Sequence, residues 1–295
     1  MTDMIVLNSI PDDVIKKVVA RLHPYRNSLH ELYRWPLRGA LKTEIINARF
    51  NTWTPDWVRS LRGQEHKSIY KQSIALRDYL YEELNGEMSY ERRTKHAAWI
   101  VGDWGGISIK KDGKSETDLF DIITSVEEDG FQFKRVASWS KYFAFKSPQE
   151  YAIYDERVIY SLNWLLFTAD SGCNYYLPSP GGRNTVMNLF DYSLLIFIRH
   201  GDLGYKYLTD ALKQDVELRK NSRSKSSLLK KLKNKIYVKN NKSYSAYLEI
   251  MNAVADALYD KDDSKRLLKT EMILFSIADK DIPLEVLSEY KNIGV

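Results

Sequence analysis

Cysteine is almost absent from the 295-residue chain, which contains one, Cys173. A single thiol excludes a disulfide framework, a zinc site built on several cysteines and a four-cysteine iron–sulfur cluster. The histidines are few and scattered, and none of them forms the two-His helix motif of zinc enzymes. We therefore expect no metal and no small-molecule cofactor.

Long apolar runs are also lacking. No stretch of the sequence reaches the roughly 18 consecutive apolar residues that a membrane-spanning helix needs. The N-terminus lacks a basic region followed by an apolar stretch, which is the pattern of a secretory leader. We expect a cytoplasmic protein without a membrane partner.

Acidic residues are missing from one interior segment, 219–242, which contains ten Lys and Arg residues in a chain of net charge +5. Such a run is either a solvated segment or a binding surface for a polyanion. Leu228, Leu229, Leu232 and Ile236 recur within it at helical spacing, so it can fold. We call residues 219–242 the basic segment.

Strand patterns are scarce, and helical periodicity dominates the chain. Helix starts occur at Ser9–Asp13 and Thr54–Trp57, and Pro24 is expected to end the first helix. The sequence predicts an all-α fold and a single unit over 1–295. Further helices are predicted at 55–62, 66–84, 88–101, 117–128, 185–199, 205–220, 243–259, 264–278 and 283–291.

Residues 135–167 predict a helix, a sharp connection and a second helix. Small and polar residues, among them Ser140 and Lys141, share one face of the first helix. Ser147 suits an N-cap and Pro148 a first helical position, so the chain is expected to restart a helix there. Asp155 precedes an apolar helical pattern, which places it at or next to a helix N-terminus.

This pattern, a lysine on a helix, a Pro-Gln turn, a short apolar run and then Asp before an apolar helix, resembles the helix-hairpin-helix DNA glycosylases. It is most similar to their 8-oxoguanine glycosylase-like branch, with the motif region at 131–167. The resemblance implies a two-lobed helical fold. It also implies that Lys141 attacks the sugar C1′ and that Asp155 stabilises the sugar cation or activates the nucleophile.

The usual glycine-containing hairpin of that family is missing here, since residues 134–139 contain no glycine. Three glycines occur instead within 102–106, in a segment that the sequence predicts to be a loop. That segment is either a turn that ends a helix or a wall of the base pocket, with Trp104 stacking on a base and Asp103 bonding to it.

The predicted function is excision of a damaged or modified base from DNA after nucleotide flipping, either in repair or in defence against phage DNA. A monomer that binds DNA is expected. The predicted DNA or substrate contacts are Trp104, Asp103, Trp139, Ser140, Arg157, Arg183, Asn184, Lys230, Lys231 and Lys233.

Two alternatives stay open. Asp155 serves only as a helix cap if the protein is a catalytically inactive DNA-binding protein on the same scaffold. A helical interaction module whose basic segment binds RNA or an acidic protein is the other alternative. Residues 168–184, rich in Gly, Pro, Ser and Asn, form either a loop that reaches DNA or a surface linker.

Overall fold

The computed structural model describes residues 10–35, 68–110, 113–172, 175–182, 184–199, 209, 213 and 236–292. Within these ranges the protein is all-α, as the periodicity predicts. The β pairing in the described residues is limited to an isolated parallel bridge between Tyr176 and Tyr237.

Helices account for most of the described chain. The first six are α1 (Asp12–Arg26), α2 (Leu29–Leu32), α3 (Ile69–Asn85), α4 (Tyr90–Ala98), α5 (Lys114–Asp129) and α6 (Val136–Lys146). A π-helical turn, Trp99–Trp104, continues α4. The others are α7 (Glu156–Thr168), α8 (Thr185–Leu189), α9 (Ser193–Arg199), α10 (Asn240–Leu258), α11 (Arg266–Ile277) and α12 (Asp281–Asn292).

Helix α7 lies at the centre of the fold. Every residue from Val158 to Phe167 is buried, so the helix is covered on all sides rather than along one stripe. It packs against α11 and α1, and α10 packs against the same two helices. Helix α6 packs against α3 and the π-helical turn. The N-terminus of α7 is therefore held by elements from both halves of the chain.

The predicted helix–connection–helix over 135–167 is confirmed as α6 and α7, and Asp155 is the N-cap of α7. The predicted helical restart at Ser147–Pro148 is wrong. Residues 148–150 form a turn in which the N–H groups of Glu150 and Tyr151 both donate to the Ser147 carbonyl at 3.0 Å. The chain then runs extended to Asp155 before α7 begins.

Three other expectations need correction. Pro24 does not end α1 but lies inside its last turn, where a missing N–H costs one hydrogen bond. Residues 102–104, predicted to start a loop, are instead the last residues of the π-helical turn. The single buried helix predicted at 185–199 is two short helices, α8 and α9, with Leu194 and Ile198 exposed.

Several predictions fall where the structure gives no description. The helix predicted at 55–62 and nearly all of the one predicted at 205–220 lie outside the described residues, as does the basic segment up to Lys235. Among the described helices, none has the length and apolarity required to cross a membrane.

Candidate active site

Four of the predicted site residues line one small cavity. Trp104, Lys141, Asp155 and Arg157 surround a space of about 70 Å³ at the N-terminus of α7. They come from three separate elements, the π-helical turn, α6 and the start of α7. The two residues predicted to carry out the chemistry therefore share one enclosed site.

Asp155 is fixed by its role as helix cap. Its Oδ1 accepts a hydrogen bond from the Val158 N–H at 3.0 Å, and its backbone is extended. Within the part of the chain that the structure describes, its Oδ2 accepts no hydrogen bond. One carboxylate oxygen thus anchors the side chain at the cavity.

The amides before Asp155 are held by side chains from other helices. The Ile153 N–H donates to Glu271 Oε2 at 2.7 Å, and the Tyr154 N–H donates to Ser140 Oγ at 3.1 Å. An extended segment has no helical or sheet partners of its own, so these bonds satisfy groups that would otherwise be buried and unpaired. They also fix the direction from which Asp155 enters the cavity.

Two tyrosines of α10 hold the carbonyls of the same segment. The Tyr244 hydroxyl donates to the Ala152 carbonyl at 3.0 Å, and the Tyr247 hydroxyl donates to the Ile153 carbonyl at 2.7 Å. Both tyrosines are buried. The backbone that leads to Asp155 is thus constrained from two sides.

Lys141 is a buried amine. Its side chain is 5 % exposed, and its Nζ donates to the Ala137 carbonyl of the preceding turn at 3.1 Å. Burial lowers the pKa of the Lys141 amine, and the nearby carboxylates of Asp155 and Glu271 partly oppose that shift. A lowered pKa increases the fraction of neutral amine, the form that acts as a nucleophile.

Gly105 makes room for the stem of Lys141. A Cβ at position 105 would lie 2.7 Å from the Lys141 Cδ and 2.7 Å from the Val101 carbonyl oxygen. Those distances are far shorter than van der Waals contact. The π-helical turn brings a glycine against Lys141, and such turns occur often at functional sites.

Aromatic rings form much of the cavity wall. The Trp35 and Phe275 rings meet edge to face, with centroids 5.3 Å apart and planes at 82°. The Trp35 indole N–H also donates to the Trp104 carbonyl at 3.2 Å. A wall of this kind offers flat apolar faces to a planar ligand.

Arg157 lies where the aromatic wall meets solvent. Its guanidinium carbon is 5.0 Å from the centroid of Phe275 and 5.7 Å from that of Trp35. Its Nε also pairs with Asp279 at 3.0 Å. The cavity thus carries a cation at a partly exposed position, where an anionic ligand could reach it.

The other predicted contacts do not line this cavity. Trp139 is 0 % exposed, stacks on Phe131 and donates its indole N–H to the Gln132 carbonyl at 3.1 Å. Ser140 is fully buried, and its Oγ accepts from the Tyr154 N–H. Both residues are too deeply buried to contact DNA in this structure. Trp139 packs in the core, and Ser140 supports the segment that leads to Asp155.

Asp103 and Asn184 also lie outside the cavity lining. Asp103 is half-buried in the π-helical turn. Asn184 caps α8, its Oδ1 accepting from the Val186 N–H at 3.0 Å, and its amide donates to Asp279 at 3.3 Å. Arg183, Lys230, Lys231 and Lys233 fall outside the described residues.

Sequence reasoning missed much of the site. Trp35, Glu271 and Phe275 line the cavity, and no motif connects them to 135–167. Glu271 is the one residue with a detectable signal, because it is an acid among the apolar residues of a buried helix face. That pattern is unfavourable unless the carboxylate has partners.

A larger cavity of about 450 Å³ is lined by Glu156, Tyr160 and Asp191, among others, and not by Lys141 or Asp155. Its described lining contains no Lys, Arg or His. Burial raises the pKa of Glu156, with a smaller contribution from Asp155. The smaller cavity is the one that brings together residues predicted from the 135–167 pattern, so it is taken as the candidate site.

Comparison of the chain with protein-family models, with curated proteins and with solved structures finds no match.

Proposed function

We propose that the protein is a DNA N-glycosylase that removes a damaged or modified base from a flipped nucleotide. One observation carries the proposal: a fixed carboxylate, Asp155, and a buried amine, Lys141, line the same aromatic-walled cavity. The motif resemblance supports the same reaction, and the basic segment supplies the charge that DNA binding requires.

Cleavage of an N-glycosidic bond moves the bonding electrons onto the departing base and leaves positive charge on the sugar. Asp155 would lie beside C1′ and stabilise that charge, an effect that is large where water is excluded. A water molecule that attacks C1′ gives a proton to the Asp155 carboxylate, and the departing nucleobase anion takes up a proton from solvent. The products are the free base and an abasic sugar.

Lys141 offers a second route from the same cation. Its neutral amine would attack C1′ in place of water. The C1′–O4′ bond would then break as a proton moves from the amine nitrogen to O4′, and the resulting protonated Schiff base would allow strand scission. The lowered pKa of Lys141 supports this role, because it raises the fraction of amine with a free lone pair.

The test is mass spectrometry of the bases released from DNA that carries normal, oxidised, alkylated or modified-cytosine bases. Asp155→Asn keeps an oxygen that accepts from the Val158 N–H, and Asn and Asp cap helices almost equally well. We expect folding and DNA binding to persist and base release to fall by about 100- to 1000-fold, as when one charge-stabilising group is removed.

Exposed Glu150→Gln is the matched control, and it should leave base release unchanged. Release that survives in Asp155→Asn would contradict the catalytic role. Absence of release from every DNA, with binding intact, would favour the inactive DNA-binding alternative. The cap bond to Val158 is the observation on which that alternative rests.

Borohydride trapping tests the role of Lys141 separately. If Lys141 forms a Schiff base, reduction should give a covalent protein–DNA complex, and Lys141→Gln should abolish it. Base release without trapping in the wild-type protein would leave Asp155 and water as the catalytic pair.

A further inference from the structure

Arg77 joins two helices beneath the cavity. It lies on α3, is 3 % exposed, and donates from Nη1 to the Ala144 carbonyl in the last turn of α6 at 2.9 Å. Its Nη2 donates to Glu271 Oε1 on α11 at 3.1 Å. The guanidinium carbon also lies 4.0 Å from the ring centroid of Phe145, so the cation is enclosed by apolar and aromatic groups.

Glu271 extends this connection to the extended segment that leads to Asp155. It is 6 % exposed and lines the cavity. While Oε1 binds Arg77, Oε2 accepts from the Ile153 N–H at 2.7 Å, two residues before Asp155. A continuous path of hydrogen bonds thus runs from α6, which carries Lys141, through Arg77 and Glu271 to the segment that carries Asp155.

The presence of the buried ion pair Arg77–Glu271 is poorly explained by fold stability alone. Moving two charges out of water is costly, and a well-packed apolar pair often gives equal or greater stability. What an apolar pair cannot supply is an acceptor for the Ile153 N–H and a donor for the Ala144 carbonyl. The directional bonds are the distinguishing property of this pair.

We propose that Arg77 and Glu271 are positioning residues that set the placement of Asp155 relative to Lys141. The proposal rests on the proposed function for its catalytic part. Neither residue takes part in bond breaking. Both hold the two reacting groups at a fixed separation across the cavity.

Two double variants test this proposal, because loss of one partner would leave an unpaired buried charge and endanger folding. Arg77→Met with Glu271→Leu removes every directional bond. Arg77→Met with Glu271→Gln is neutral as well, but its amide oxygen still accepts from the Ile153 N–H. The two proteins differ at position 271 alone, and comparison of their melting temperatures controls for general damage, including any that the buried NH2 group of Gln causes.

We expect faster hydrogen exchange at the Ile153 amide of free protein in the Leu variant than in the Gln variant. Single-turnover base release should be about 100-fold slower in the Leu variant, the effect expected of a misplacement near 1 Å, and only partly restored in the Gln variant, which still lacks the Arg77 bond to the Ala144 carbonyl. DNA affinity should stay close to wild type in both.

Equal exchange at Ile153 in the two variants would overturn the proposal whether or not any base is released. Equal base release at unequal exchange would overturn the catalytic part and leave the proposed function intact. If the wild-type protein releases no base, the proposed function and the catalytic part fail together, and the exchange comparison alone decides whether the pair holds the Asp155 segment.

Discussion

Lys141 illustrates how a single side chain is adapted at the expense of stability. An ammonium group that is 5 % exposed has lost most of its hydration, and its pKa is lowered as a result. Asp155 shows the opposite arrangement, because its cap bond stabilises the fold while it fixes the carboxylate. Burial of Lys141 thus costs free energy of folding, whereas the cap bond of Asp155 contributes it.

Lys141→Met should therefore stabilise the protein at neutral pH. In the unfolded chain the lysine titrates near pH 10.4, above its lowered folded pKa. Between these values the unfolded state binds more protons, so the wild-type free energy of unfolding rises with pH. The advantage of Lys141→Met should shrink as pH rises through this window, measured by chemical denaturation.

Exposed Lys134→Met provides the control for the replacement of a lysine by methionine at the surface. If the stability difference between wild type and Lys141→Met stays constant with pH, burial does not lower the pKa of the Lys141 amine.

At the scale of elements, the π-helical turn determines which residues pack against Lys141. Trp99–Trp104 continues α4 with a wider turn, and the chain then passes Lys141 at Gly105. The turn also presents the Trp104 carbonyl to the Trp35 indole. A regular α-helix through these residues would direct the same groups elsewhere.

Gly105→Ala should disturb this arrangement. The new Cβ would meet the backbone oxygens of Val101 and Ile100 at 2.7 and 2.8 Å as well as the Lys141 stem. Overpacking of this kind costs about 1–3 kcal/mol. We expect a decrease of that size in the free energy of unfolding, together with loss of Lys141-dependent trapping.

Gly102→Ala in the same turn is the matched control, because its Cβ would meet nothing closer than 3.4 Å. If both variants lose the same stability, the effect of Gly105→Ala comes from any added side chain in the turn. It would then not come from the contact with Lys141.

The sequence predicts elements well where local signals agree. The Asp155 cap, α6 and α7 follow from spacing and capping preference, and the structure confirms them. The prediction fails at Ser147–Pro148, because the following backbone finds better partners in Ser140 and Glu271 than in a helix of its own. Such partners are set by tertiary packing and leave no local pattern.

The split of 185–199 has the same origin. The Tyr192 hydroxyl donates to the Tyr160 carbonyl, and the Tyr160 hydroxyl donates to the Phe190 carbonyl at 2.9 Å. These bonds to α7 use the residues between α8 and α9. Trp35 and Phe275 were unpredictable as site residues for a related reason, since their contact joins positions far apart in the chain.

For the whole molecule, charge is distributed unevenly. The cavity itself is nearly balanced, with Lys141 and Arg157 facing Asp155 and Glu271. The strongest concentration of positive charge is the basic segment, at residues 219–242. If the protein acts on DNA as proposed, its affinity for DNA and its chemistry on the nucleotide should depend on different parts of the chain.

Replacing Lys230, Lys231 and Lys233 with Gln tests this division. If these lysines bind phosphates, the slope of log affinity against log salt should become shallower by about 0.9 for each phosphate that is no longer neutralised. Single-turnover base release at saturating DNA should be unchanged. The measurement is DNA binding across a salt series.

Three surface lysines outside the segment, Lys16, Lys110 and Lys114, serve as the charge-matched control when changed together. An equal change of slope in both triple variants would mean that net charge alone, and not the basic segment, governs binding.

The cavity walls extend from Tyr33 to Phe275, which gives the site an order of assembly during synthesis. A chain made from its N-terminus acquires Lys141 and Asp155 long before α11 emerges from the ribosome. Until then the Ile153 N–H lacks its Glu271 acceptor. A nascent or prematurely terminated chain would hold Lys141 and Asp155 without Glu271 and Phe275, so the cavity is complete only after α11 has been made.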